Sequence, residues 1–141
     1  MDKLRTVDIL LVEDNPADAR LITDYFKSSN IKTKHVENGF KALDYLYQRE
    51  EYKNVSLPDI VVLDVNLPKV DGMTVLKSIK EDKDLKKIPV IVLGTSGDSN
   101  EVKSAYKSHA NCYITKPVDY DHFDVILDCI KKFWTNIATI P

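Results

Sequence analysis

The chain has 141 residues, 43% of them hydrophobic and 30% charged, with a net charge of −2. That length buries one real core, the balance is that of an ordinary globular protein, and the lack of a basic block gives nucleic-acid binding little electrostatic support. No apolar run nears the roughly 20 residues that span a bilayer, the N-terminus has no signal-peptide pattern, and Cys112 and Cys129 read as reduced thiols of a cytoplasmic protein rather than a disulfide framework.

Val7 to Val12 reads as a strand with one polar interruption at Asp8, stopping at Glu13-Asp14. Asn15-Pro16 follows, an N-cap residue and then a proline suited to the first helical position. Ala17 to Ser28 carries Ala19, Leu21, Ile22, Tyr25 and Phe26 at helical spacing. Ile31 to Val36 is a more polar strand, expected nearer the sheet edge. After the Asn38-Gly39 turn, Phe40, Leu43, Tyr45, Leu46 and Tyr47 mark a second helix. Gln48 to Leu57 has no clear period and reads as a loop.

Asp59 to Leu63 is a third strand, with Ile60, Val61, Val62 and Leu63 in an unbroken apolar run. Such runs suit a strand buried on both faces of a parallel sheet. Asp64 sits where it ends, Asn66 to Gly72 form a turn, and Met73 to Glu81 a third helix lined by Met73, Val75, Leu76 and Ile79. Ile88 to Leu93 is the fourth strand. Asp98 and Glu101 resemble a capping box for a fourth helix, Asn100 to Ser108, whose inner side has only Val102, Ala105 and Tyr106. Asn111 to Thr115 is the fifth strand. A last helix, capped by Asp119 or Asp121, runs to Trp134, with Phe123, Ile126, Leu127, Ile130, Phe133 and Trp134 at helical spacing.

Five β-α units in strict alternation predict an α/β fold: a five-stranded parallel sheet with helices on both faces, doubly wound. One domain is expected over 1–141, with a core of about 5–134 and a tail of 135–141.

In such a sheet all strand ends share one edge, outside which ligands bind. Strand one ends in Glu13-Asp14, strand three in Asp64, strand four in Thr95 and strand five in Lys116. Helix capping would account for single acids, but it requires neither Lys116 nor Thr95. Clustered carboxylates raise one another's pKa, and a hard divalent ion such as Mg²⁺ relieves that with oxygen ligands. Metal, ammonium and hydroxyl together suit a phosphoryl group, and a carboxylate can accept it as an aspartyl phosphate. Asp64, isolated beside a turn, fits the nucleophile; the adjacent Glu13 and Asp14 fit metal ligands.

The motifs LLVEDNP, VVLDVNLPKVDG, PVIVLGTSGD and CYITKP, in this order and spacing, resemble the receiver domain of two-component response regulators over nearly the whole chain. The resemblance implies a flavodoxin-like receiver fold. It implies that Asp64 accepts a phosphoryl group from the phosphohistidine of a sensor histidine kinase. Glu13, Asp14, Asp64 and the backbone carbonyl of Asn66 would bind Mg²⁺. Lys116 would contact the phosphoryl oxygens, and Thr95 would hydrogen-bond them. A cis Lys116-Pro117 bond is implied too. Tyr113 matches an aromatic switch position, coupling the site to the surface of helix four, strand five and helix five. On that view phosphorylation draws Thr95 toward Asp64 and Tyr113 turns into the vacated space.

Such a domain is a signalling phosphoacceptor, an enzyme only toward its own phosphorylation and dephosphorylation. Gly97 and Asn66 lie where the family tunes hydrolysis, and the small Gly97 leads us to expect a phosphorylated state that is not exceptionally long-lived. The LPKVDG turn, the long loop and the C-terminal Phe133-Trp134 also resemble standalone receivers serving phytochrome-type kinases. No output domain is expected after the last helix, so the partner would be a docking protein or a phosphotransfer protein, without direct DNA or membrane binding. Phe133, Trp134, Ile137 and Ile140 either pack on their own domain or extend an apolar patch for a homodimer. His35, His109 and His122 read as ordinary histidines, and both cysteines as small buried hydrophobes. Two other readings stay open. A Mg²⁺-dependent aspartyl phosphatase would want an acid where Asn66 stands, and a degenerate receiver that signals by binding alone would lack an acid or the lysine.

Overall fold

The computed structural model describes residues 6–27, 30–67, 70–95, 98–119 and 121–141. The strands are β1 (Val7–Val12), β2 (Ile31–Val36), β3 (Ile60–Asp64), β4 (Val90–Gly94) and β5 (Cys112–Thr115). The helices are α1 (Pro16–Lys27), α2 (Gly39–Leu46), α3 (Gly72–Glu81), α4 (Ser99–Lys107) and α5 (Phe123–Lys132). All strand pairs are parallel, in the order β2-β1-β3-β4-β5. The doubly wound fold expected from the alternation is present, in the flavodoxin-like form that the resemblance implies, with β2 at an edge.

Period-two alternation divides the apolar residues between two cores. Leu10, Val12, Val61, Leu63, Val90 and Val92 face α2 and α3, where Val75, Leu76 and Ile79 are buried. Ile9, Leu11, Ile60, Val62, Ile91 and Leu93 face α1 and α5. Helix α1 adds Ala19, Ile22 and Phe26, and α5 adds Phe123, Leu127 and Ile130. The order places the reversal of winding between β1 and β3, the crevice where doubly wound sheets bind ligands. Glu13 and Asp14 follow β1 at that point, and Asp64 is the last residue of β3.

Several local expectations are corrected. Phe40 is 58% exposed, because α2 begins at Gly39, packed on the Val70 carbonyl, and its inward stripe is Ala42, Tyr45 and Leu46. The loop after α2 contains a 3₁₀ turn, Glu50–Tyr52, anchored by the buried Tyr52 ring 5.1 Å from that of Tyr45. One aromatic anchor leaves no periodicity to read. Strand β4 starts at Val90 rather than Ile88, since the Ile88 amide donates instead to Leu85 in the preceding turn. Tyr106 points outward, leaving Ala105 the only buried residue of α4. Cys129 is exposed rather than buried, and Cys112 is half-buried. Ile140 is buried while Phe133 and Ile137 are exposed, so the C-terminus packs on its own domain in part and leaves part of its apolar surface open. The Lys116-Pro117 bond is trans, no cis bond occurring among the described residues. The trans isomer is the more stable one even before proline, and it still brings the lysine to the site. Pro68, Lys69 and Gly97 lie outside the described residues.

Candidate functional site

Each side chain reaches the crevice by a local device. The Glu13 amide continues the sheet by donating to the Val36 carbonyl at 3.1 Å, which aims the acid past the end of β1. Asn15 caps α1, its Oδ1 accepting from the amides of Ala17 and Asp18. Asp64 is held from behind by Gly72, where a Cβ would collide with the Asp64 carbonyl and the Val65 Cα. The Asp64 side chain in turn accepts the Asn66 amide at 2.9 Å. The Lys116 amide donates to the Gly94 carbonyl at 2.7 Å, fixing the lysine at the end of β5.

Carboxylate oxygens of Glu13, Asp14 and Asp64 lie within 4.8 Å of one another. Glu13 and Asp64 are buried, at 0% and 3% exposure, while Asp14 is open to solvent. The Lys116 ammonium sits among acids, 2.5 Å from Glu13, 3.1 Å from Asp18 and 3.2 Å from Asp64. Three carboxylates thus surround one ammonium, and Asp14 stands beside two of them. Burial and the hydrogen bond with Asp64 push the Glu13 carboxyl up to about 8, more than Lys116 offsets. Burial alone would lower Lys116, but Glu13, Asp64 and Asp18 together hold it above its ordinary value. The lysine thus keeps its charge beside a Glu13 carboxyl that holds its proton more tightly than usual. Three convergent oxygen donors with surplus negative charge fit a hard divalent ion.

On the opposite side, Thr95 Oγ1 accepts from the Asn66 side-chain amide at 2.9 Å. The Tyr113 ring already lies against Gly94, where it would collide with any Cβ, and its hydroxyl donates to Glu101 at 2.5 Å. Burial and then Glu101 raise the Tyr113 pKa, so the hydroxyl keeps its proton. The Tyr113 amide donates to the Tyr106 hydroxyl at 3.1 Å.

All the site residues expected from the sequence therefore meet: Glu13, Asp14, Asp64, Asn66, Thr95 and Lys116 at the crevice, with the Tyr113 ring against Gly94, the chain neighbour of Thr95. Three participants were missed. Asp18 reads as an acid favouring the first turn of a helix, though it lies one turn after Asp14. Glu101 reads as half of a capping box. His35, read as ordinary, has its Nε2 2.7 Å from the Glu13 carbonyl; its place on β2 beside the end of β1 was the available signal.

Residues 9–128 match the family model described as response regulator receiver domain. The chain belongs to that family. Response regulator Rcp1 of Synechocystis sp. (strain ATCC 27184 / PCC 6803 / Kazusa) is 42% identical over 135 residues, 94% of this chain and 92% of Rcp1. The crystal structure of the Mn²⁺-bound form of Rcp1 superposes with a TM-score of 0.91 at 40% identity, covering 96% of this chain and 99% of that one. The phosphorylated cyanobacterial phytochrome response regulator RcpA superposes with a TM-score of 0.93 at 44% identity, covering 96% and 98%. The chain is thus a response regulator receiver of a two-component system, similar to proteins solved with a divalent metal and in a phosphorylated form. Among its described residues no helix is long and apolar enough to cross a membrane.

Proposed function

We propose that Asp64 is the phosphoacceptor, receiving a phosphoryl group from a sensor histidine kinase. The observation that carries this is the buried Asp64 carboxylate 3.2 Å from Lys116, with Glu13 and Asp14 beside it. Glu13, Asp14, Asp64 and the Asn66 carbonyl would hold Mg²⁺. When bound, the ion would neutralise charge on the transferring group and its acceptor. Lys116 donates to the phosphoryl oxygens and Thr95 hydrogen-bonds them.

Asn66 spends its side-chain amide on Thr95 rather than offering an acid, which counts against the phosphatase. The convergence of every acid with the lysine counts against a degenerate receiver. Similarity to RcpA favours a phytochrome-type kinase as the partner. The whole chain, 1–141, would act as one receiver domain in the cytoplasm. Its output is the surface of α4, β5 and α5, offered to a downstream or phosphotransfer protein or to a second copy. Tyr113 and Thr95 couple that surface to Asp64. Tyr113 already packs on Gly94, so phosphorylation would stabilise an arrangement open to the free chain.

The test is incubation with Mg²⁺ and acetyl phosphate, read by intact mass. A gain of one phosphoryl group, lost in Asp64→Asn, supports the reading; an unchanged gain in that variant overturns it. Gel filtration with and without the last seven residues tests the homodimer.

A further inference from the structure

The third carboxylate on Lys116 has no part in the reading above. Asp18 lies in the first turn of α1, its side chain 13% exposed and its Oδ2 3.1 Å from the lysine nitrogen. It stands outside the group of acids that converge as metal ligands, which is Glu13, Asp14 and Asp64. Asp18, Lys116 and Thr95 also line one polar cleft of about 260 Å³ at the strand ends. Asp18 is therefore on the open side of the lysine, and Glu13 and Asp64 are on the buried side.

We propose that Asp18 is a positioning residue for Lys116 in phosphoryl transfer. This rests on Asp64 being the acceptor and on metal binding by the three acids. In the transfer, an Asp64 oxygen–phosphorus bond forms while the bond from phosphorus to the acetate oxygen breaks. Acetate leaves with the electron pair, or imidazole does when the donor is a phosphohistidine. Two of the lysine's three carboxylate partners are needed elsewhere in that step: Glu13 for the metal, Asp64 for the metal and the new bond. A lysine held only by those two would follow them inward and compete with the metal. Asp18 keeps one N–H of the ammonium engaged from the cleft side, so the others point to where the phosphoryl oxygens arrive. Because an ammonium donates three hydrogen bonds, it can keep Asp18 while serving the phosphoryl group. Supporting carboxylates that orient a charged group recur around metal and phosphoryl sites.

The experiment compares wild type, Asp18→Asn, Asp18→Glu and Asp64→Asn in the full chain, each checked for a cooperative melt. Mg²⁺ affinity is measured by calorimetry, and the phosphorylation rate at saturating Mg²⁺ and acetyl phosphate by intact mass. Asp18→Asn should bind Mg²⁺ within about twofold of wild type but be phosphorylated about tenfold more slowly, the usual scale for losing such a support. Asp18→Glu should recover part of the rate. A role confined to folding would move the melt and both readouts together, and that result overturns the proposal. So does an Asp18→Asn rate equal to wild type, or a faster one, which would make Asp18 merely a competitor for the ammonium. If wild type gains no phosphoryl group, or Asp64→Asn gains one like wild type, the underlying reading fails and the proposal with it.

Discussion

Helices α3 and α4 both lean on the α2/α3 side of the sheet, yet they are held by different physics. Helix α3 buries Gly72, Val75, Leu76 and Ile79, starts on an Asp71 cap, and presses Gly72 onto the backbone of Asp64. Helix α4, nearly the same length, buries only Ala105. Its described ties to β5 include two polar ones, Glu101 to the Tyr113 hydroxyl and the Tyr106 hydroxyl to the Tyr113 amide. Dispersion and hydrophobic burial hold α3 over many contacts, which give way together or not at all. A few hydrogen bonds near water are each worth little net and break singly. The proposed acceptor, Asp64, is thus mounted on the dry side, and the helix proposed as part of its output surface is on the wet side. Low local stability is what a moving element needs.

The largest expected effect breaks the dry side. Leu76→Ala should cost about 2–5 kcal/mol in denaturant unfolding, because Leu76 is wholly buried in the core under α3. The matching change on α4, Val102→Ala, should stay within about 1 kcal/mol. Equal losses at the two sites would erase the distinction.

The dry side should also respond to pH in a way the α4 side does not. Burial and Asp64 push the Glu13 carboxyl up to about 8 in the folded chain, against 4.5 ordinarily. The folded state therefore holds the more tightly bound proton. Its contribution is fully present below 4.5 and is lost as pH rises toward 8. The raised Lys116 pKa acts in the same direction, its contribution also being lost as pH rises, but only above 10.5, outside that window. Metal-free protein should lose denaturant resistance across this range, Glu13→Gln should lose less, and added Mg²⁺ should restore wild type. A flat profile for metal-free wild type would count against the buried carboxylate pair.

The same division explains what was legible in the sequence. Buried parallel strands write themselves as unbroken apolar runs, so β1, β3 and β4 and their order of use were readable. The acids, Thr95 and Lys116 were readable because strand ends of a parallel sheet must share an edge. Helix phase was less so: Phe40 and Tyr106 sit at apolar spacing, but close packing of Gly39 and the outward turn of α4 expose them. Side chains with two plausible local roles were the hardest to place. Asp18 suits a helix N-terminus and Glu101 suits a capping box, and only the fold shows that Lys116 and Tyr113 arrive to meet them. Periodicity gave no warning of the Tyr52 anchor either, since a single aromatic in a polar loop has no period.

On the wet side, Tyr113→Phe removes one tie and nothing from the core. Glu101 is only half-buried, so water can replace the hydroxyl, and the cost should be about 1 kcal/mol. Hydrogen exchange should show it locally, with α4 amides exchanging faster and α3 amides unchanged. Faster exchange throughout α3 would mean that the two helices form one cooperative unit.

Tyr106→Phe should do least. The Tyr113 amide it serves lies on β5, whose other neighbour in the sheet is open, and the bond is exposed. Water is a ready substitute, so global stability should change by less than about 0.5 kcal/mol. The informative readout is again exchange, at the Tyr113 amide and the last turn of α4. If each polar tie acts alone, the double variant Tyr106→Phe/Tyr113→Phe should lose the sum of the two single losses. A loss well beyond that sum would mean that the first bond to break was holding the second in place. Helix α4 would then leave β5 in one step rather than by degrees, which is the behaviour expected of a two-position switch.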